Sequence, residues 1–121
     1  MDNRKIHDSE FRFCEILWDN EPINSTELMK LCREKLGWSK ATTYTVIRRL
    51  SERGIIQNVN SIVTSLVSRE EAQTAEIREL LENKFSGSLP AFMAAFVRSE
   101  KPDEKEYEEL SKMIENWGKS S

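Results

Sequence analysis

Between Trp38 and Gly54 the chain reads WSKATTYTVIRRLSERG. Thr42, Thr43, Tyr44 and Thr45 are consecutive, and Arg48 and Arg49 follow about one helical turn later. Hydroxyl, phenol and guanidinium groups do not titrate near neutral pH and serve as hydrogen-bond donors. Such groups suit phosphate oxygens and base edges better than proton transfer. Thr and Tyr are also mediocre helix formers, so a merely solvated helix face gains nothing from them.

Catalytic alternatives find little support. His7 is the single histidine and falls in the polar N-terminal segment, so no Ser/His/Asp or Cys/His arrangement can be built without it. Neither a Gly-rich phosphate loop nor an H-E-x-x-H motif is present. The sequence therefore predicts no enzyme, no cofactor and no metal site. Cys14 and Cys32 each lie inside an apolar helical pattern and are expected to be small buried hydrophobes. No apolar run approaches the roughly 20 residues that span a bilayer. The segment MDNRKIHDSE has no apolar stretch after its charges, so no secretory signal is expected and the predicted location is cytoplasmic.

Charge is unevenly distributed. The net charge is −3, yet from Lys30 to Arg53 seven basic residues face two acidic ones, a local net of +5. From Arg69 onward 8 basic residues meet 12 acidic ones, a net of −4. A basic patch ahead of an acidic second lobe fits a polyanionic partner for the first lobe.

The elements that must position the Thr/Arg stretch follow from periodicity and caps. SEFRFCEILWD places Phe11, Cys14, Leu17 and Trp18 at helical spacing, and Asn20-Glu21-Pro22 stops that first helix. A second helix starts at Asn24 with Glu27 as a capping box, carries Ile23 and Leu28 as a staple, and ends at Gly37. The third starts at Ser39. With about 100° per residue, Thr43, Val46, Ile47 and Leu50 form its core face. Tyr44, Thr45, Arg48 and Arg49 point outward, with Lys40 and Thr42 at the first turn. Arg49 borders the core face, where it could instead reach Glu10 or Glu15. Two helices joined by a short Gly turn make a helix-turn-helix. The β-branched stretch IIQNVNSIVTSLVS then predicts two short strands joined near Asn60-Ser61.

The expected fold is thus mainly α with a small β-hairpin: a winged helix-turn-helix domain over 1–67 and a three-helix lobe over 68–121. In that lobe Ser68 caps a helix with Glu71, SLPAFMAAFVRSE is short and apolar, and Pro102-Asp103 begins the last helix. Three such helices bury too little to stand alone. Leu81, Phe85, Leu89, Phe92, Met93, Phe96, Tyr107, Leu110, Ile114 and Trp117 are therefore expected to meet a second copy, giving a homodimer with two recognition helices.

Taken in order, EFRFCEILW, W-x-x-x-T-x-Y-T-V-I-x-R-L-x-x-R-G, LVSREEAQ, FSGS and EYEELSKMIE span nearly the whole chain. In this arrangement the chain resembles the penicillinase-repressor (BlaI/MecI type) family of winged-helix transcriptional repressors. The resemblance implies a homodimer on inverted-repeat DNA operators, often with TACA/TGTA half-sites. It also implies release when a membrane metalloprotease sensor system leads to cleavage of the second lobe. The chain departs from the family in three places. Its wing is short and lacks the basic and tyrosine positions. The cleaved Asn-Phe bond corresponds to Ala95-Phe96. The ending NWGKSS has none of the C-x-C motifs of copper-responsive relatives. The rival expectation is a protein-interaction adaptor that uses a winged helix without specific DNA binding.

Overall fold

Thirteen residues from Asp8 to Asn20 form α1, opened by the Glu10 carboxylate, which accepts the His7 N–H at 3.0 Å. Its buried side is wider than a single stripe: Phe13, Cys14, Ile16 and Leu17 are all buried, while Phe11 and Trp18 are half-buried and meet edge-on at 5.4 Å. The pattern of Phe11, Cys14, Leu17 and Trp18 therefore caught half of the core face and both half-buried aromatics at its rim. The reason is that α1 packs against other elements on two sides, the second helix and the last strand.

A computed structural model describes residues 5–119. The first four residues of MDNRKIHDSE and the last two of NWGKSS, both used above, lie outside that range. The chain divides into two compact units, Met1–Arg78 and Glu79–Ser121.

In the first unit, β1 (Ile23–Asn24) leads into α2 (Ser25–Leu36). Asn24 caps α2 by accepting the Thr26 N–H at 2.8 Å. Gly37, at φ +70, ends α2 in the left-handed region, where a Cβ would be strained. Ser39 then caps α3 (Lys40–Glu52) by accepting the Thr42 N–H at 3.1 Å. Thr43, Ile47 and Leu50 are buried and Val46 is half-buried, as the helical wheel requires. Phe13 stacks on Trp38 at 6.1 Å and 6°, tying α1 to the turn between α2 and α3.

The hairpin consists of β2 (Ile56–Val59) and β3 (Ile62–Ser65), with Asn60 and Ser61 at φ 53 and 64 between them. Positive φ at both central residues belongs to a type I′ turn, whose twist matches that of the flanking strands. The sheet has a third strand that periodicity did not predict. Two-residue β1 pairs antiparallel with β3, Ile23 opposite Val63, giving the order β1-β3-β2. The Glu21 carboxylate secures this join by accepting the Ser65 N–H at 2.8 Å and the Ser65 hydroxyl.

α4 (Arg69–Phe85) crosses the unit boundary. Ser68 and Glu71 form the expected capping box at its start. Its first turns are held to α1: the Trp18 indole N–H donates to the Val67 carbonyl at 2.9 Å, Arg69 pairs with Asp19 at 2.7 Å, and Ala72 is buried. In the second unit, Ser88 caps α5 (Leu89–Ser99), and Asp103 with Glu106 forms a capping box on α6 (Glu104–Trp117). Phe85 meets Phe92 edge-on at 5.5 Å, and Phe92 meets Phe96 at 6.2 Å.

A nearly buried ion pair locks the end of α3 to the start of α1. Arg53 Nη1 lies 2.8 Å from Glu10 Oε2, and Arg53 also donates to the Lys5 carbonyl. Because Glu10 is buried, removing its carboxylate takes away an anion that the site is built around. Glu10→Ala should destabilise the first unit by about 2 kcal/mol. A thermal melt unchanged from wild type would show that the pair is energetically silent.

Candidate nucleic-acid interface

The bared side of α3 follows from its buried side. With Thr43, Ile47 and Leu50 turned inward, Lys40, Thr42, Tyr44, Arg48 and Arg49 are exposed, and Tyr44 is the most open of the aromatic residues of the first unit at 61%. Thr45 is half-buried, so its hydroxyl lies at the margin of this surface rather than at its centre. Lys30, Arg33 and Lys35 of α2 are also exposed.

Local bonds decide what each group can still do. The Ser39 hydroxyl donates to Thr42 Oγ1 at 3.0 Å, which leaves the Thr42 hydroxyl proton available to an outside acceptor. Arg48 sits 3.6 Å from Glu52 one turn on, with both side chains more than half exposed. Such a pair is weak and solvent-screened, so it orients Arg48 without neutralising it for a polyanion. Arg49 is exposed with the other DNA-binding candidates, and the bond to Glu10 that was its alternative comes from Arg53. On the helical wheel Arg53 falls nearer the core face than Arg49, which brings its side chain to Glu10.

Cys14 and Cys32 belong to the core rather than to this surface. Both are free and buried. Burial pushes the Cys14 thiol up to about 12, helped by the nearby Glu10 carboxylate. Burial also pushes Cys32 up to about 11, against a smaller opposing effect from the Thr43 hydroxyl beside it. Thiols held protonated in this way are poor nucleophiles and poor metal ligands at neutral pH. Among the described residues no three of His, Cys, Asp and Glu gather into a metal-binding group. An open groove of about 420 Å³ runs along Asn20, Pro22, Ile23, Glu27, Lys30, Leu31 and Glu34. It holds carboxylates and one amine, with no nucleophile and base together. No described helix is long and apolar enough to cross a membrane.

The sequence profile of the penicillinase repressor family matches residues 6–116, from just before α1 to the end of α6. The chain belongs to the penicillinase repressor family. It is 21% identical over 115 residues to the penicillinase repressor of Bacillus licheniformis, covering 92% of this chain and 90% of that protein. It is 25% identical over 120 residues to the methicillin resistance regulatory protein MecI of Staphylococcus aureus strain Mu50, covering 94% and 98%. The corresponding figures for MecI of Mammaliicoccus sciuri are 24%, 94% and 98%. Penicillinase repressors are DNA-binding transcriptional regulators, not enzymes, which agrees with a surface made of donors and cations.

One feature of this penicillinase repressor family member escaped the sequence reading. The Glu10–Arg53 pair spans 43 residues, and the wheel position of Arg53, nearer the core than Arg48 or Arg49, does not by itself name a partner. One signal was available. Glu10 precedes Phe11 and Phe13 in a segment that must be buried, and a buried acid requires a cation.

Proposed function

We infer that this chain is a cytoplasmic, homodimeric transcriptional repressor that places α3 of each copy in the major groove of an inverted-repeat operator. The observation that carries the reading is the exposed side of α3, with Tyr44, Arg48 and Arg49 turned away from the buried Thr43, Ile47 and Leu50 and with Lys40 and Thr42 exposed at its first turn. Thr42 and Lys40 suit phosphate, while Tyr44, Thr45 and Arg48 suit base edges. A homodimer is supported by apolar side chains of the second unit that its own helices leave uncovered, among them Leu89, Phe96, Tyr107, Leu110, Ile114 and Trp117. Repression then ends by cleavage of α5 near Ala95-Phe96, through a membrane metalloprotease sensor system of the kind that the family resemblance implies.

The test compares binding to the promoter region of the chain's own gene with binding to random duplex DNA, by fluorescence anisotropy across a salt series. Tyr44→Ala or Thr45→Ala should weaken promoter binding by about 1–3 kcal/mol and random binding much less. Equal losses on both would place these residues on phosphate alone. A wild-type chain with no salt-sensitive, sequence-specific binding would favour the adaptor reading.

Glu52 supplies a check of the opposite sign. It is the one acid on the outward side of α3 and is tethered to Arg48. Glu52→Gln should tighten binding to random DNA about threefold, because it removes a carboxylate that phosphate repels. Weaker binding in this variant would mean that Glu52 itself accepts from a base.

A further inference from the structure

From Gly54 to Ser68 the chain has no charged residue of either sign, although 32% of all residues are charged. This stretch is the wing. A wing pressed against phosphate would be basic, and one left in solvent would carry the charges common on protein surfaces. Instead its end exposes the amides of Gln57, Asn58 and Asn60, the Ser61 hydroxyl, and an apolar pair, Val59 and Ile62, which face each other across the ladder at 56% and 42% exposure.

Neutral amides beside small apolar wedges match the minor groove. There Asn and Gln read the acceptors of A·T pairs, and apolar side chains pack against sugars and base steps. The reach also fits. β2 starts four residues after the last residue of α3, and four strand residues extend about 13 Å. The minor groove adjoining an occupied major groove lies about half of a 34 Å turn away. The tip is held in place as well: Asn60 and Ser61 close the tight turn, and β3 is secured by β1 and by the Glu21 carboxylate on Ser65.

The geometry points to a neutral minor-groove reader: Asn60, flanked by Val59 and Ile62, enters the minor groove beside the α3 contact and selects A·T over G·C there. The guanine 2-amino group projects into that groove, where it displaces the apolar pair and adds a donor between the acceptors that the Asn60 amide would bond. This inference rests on the repressor reading above. It adds a specificity element that α3 does not supply and that carries no salt dependence, because no charge is involved.

The test starts from duplexes selected by the full-length chain out of a random-sequence pool. In the best site, the A·T pairs flanking each α3 contact are changed to G·C and, separately, to inosine·C, which lacks the 2-amino group. Wild type should lose about tenfold on G·C flanks and recover on inosine·C flanks. Asn60→Gly keeps the positive-φ turn but removes the amide, and Val59→Thr with Ile62→Thr keeps strand propensity but removes the apolar pair. Both variants should bind the core site with an unchanged salt slope and lose the flank preference. A wild type indifferent to the flanks, or variants that keep the preference, overturns the wing assignment while leaving α3 as the reader. A selection that enriches no sequence overturns the repressor reading itself, and the wing assignment with it.

Discussion

Phe96→Asp yields a monomer whose first unit remains folded. Phe96 lies on α5 at 36% exposure, tilted against Phe92, and the same unit leaves Tyr107, Ile114 and Trp117 more than half exposed. Large apolar side chains bared to this degree are the signature of a surface that another chain covers. A carboxylate placed at such an interface would be desolvated without a partner, at a cost of several kcal/mol. Because two-fold symmetry introduces the charge twice, the dimer should weaken by at least about a thousandfold. Sedimentation equilibrium should report a monomer at micromolar concentration. With the signal of Trp117 removed by Trp117→Phe, fluorescence of Trp18 and Trp38, both in the first unit, should be the same with and without Phe96→Asp. Phe96→Leu, which keeps an apolar side chain, should remain dimeric. An undisturbed Phe96→Asp dimer would remove Phe96 from the interface and with it this account of the second unit.

Features set by a few neighbouring residues were legible in the sequence. Ser39 caps α3, Gly37 turns the chain out of α2, and Asn60-Ser61 closes the hairpin, because each depends on a local preference for a cap or for positive φ. The helical wheel of α3 located its buried side for the same reason. Features that join distant segments were not legible. β1 exists because Ile23 meets Val63, 40 residues on, and two residues are too few to show a strand period. Phe13 and Ile16 are buried because α1 has neighbours on two sides, a property of the assembled unit rather than of α1. Thr45 shows the limit of the wheel. It projects away from the core centre, yet surrounding structure half-covers it, which a single helix in isolation cannot show.

Cutting α5 between Phe92 and Val97 should abolish operator binding, and this gives the proposed repressor its off-switch. α5 has 11 residues, and a break in that interval leaves neither piece long enough to hold a helix alone. A cut before Phe96 also parts it from the aromatic run that begins at Phe85. With the apolar surface of the second unit lost, the dimer separates, and each copy retains only its own phosphate contacts. Affinity depends exponentially on the number of those contacts, so halving roughly 6–10 of them should lower binding at physiological salt by orders of magnitude. The bond at Ala95-Phe96 lies inside a capped helix, with Ala95 half-buried, so cleavage first requires local opening of α5. Ala95 also stands where the family resemblance leads one to expect Asn, so the responsible protease should not require Asn before the cut. Ala95→Asn should then add sensitivity to an Asn-Phe-specific protease without altering the dimer. In cells induced to express the repressed genes, mass spectrometry should find a fragment ending between Phe92 and Val97. Full-length protein persisting while those genes switch on would refute cleavage as the trigger and require an effector that acts on the intact dimer.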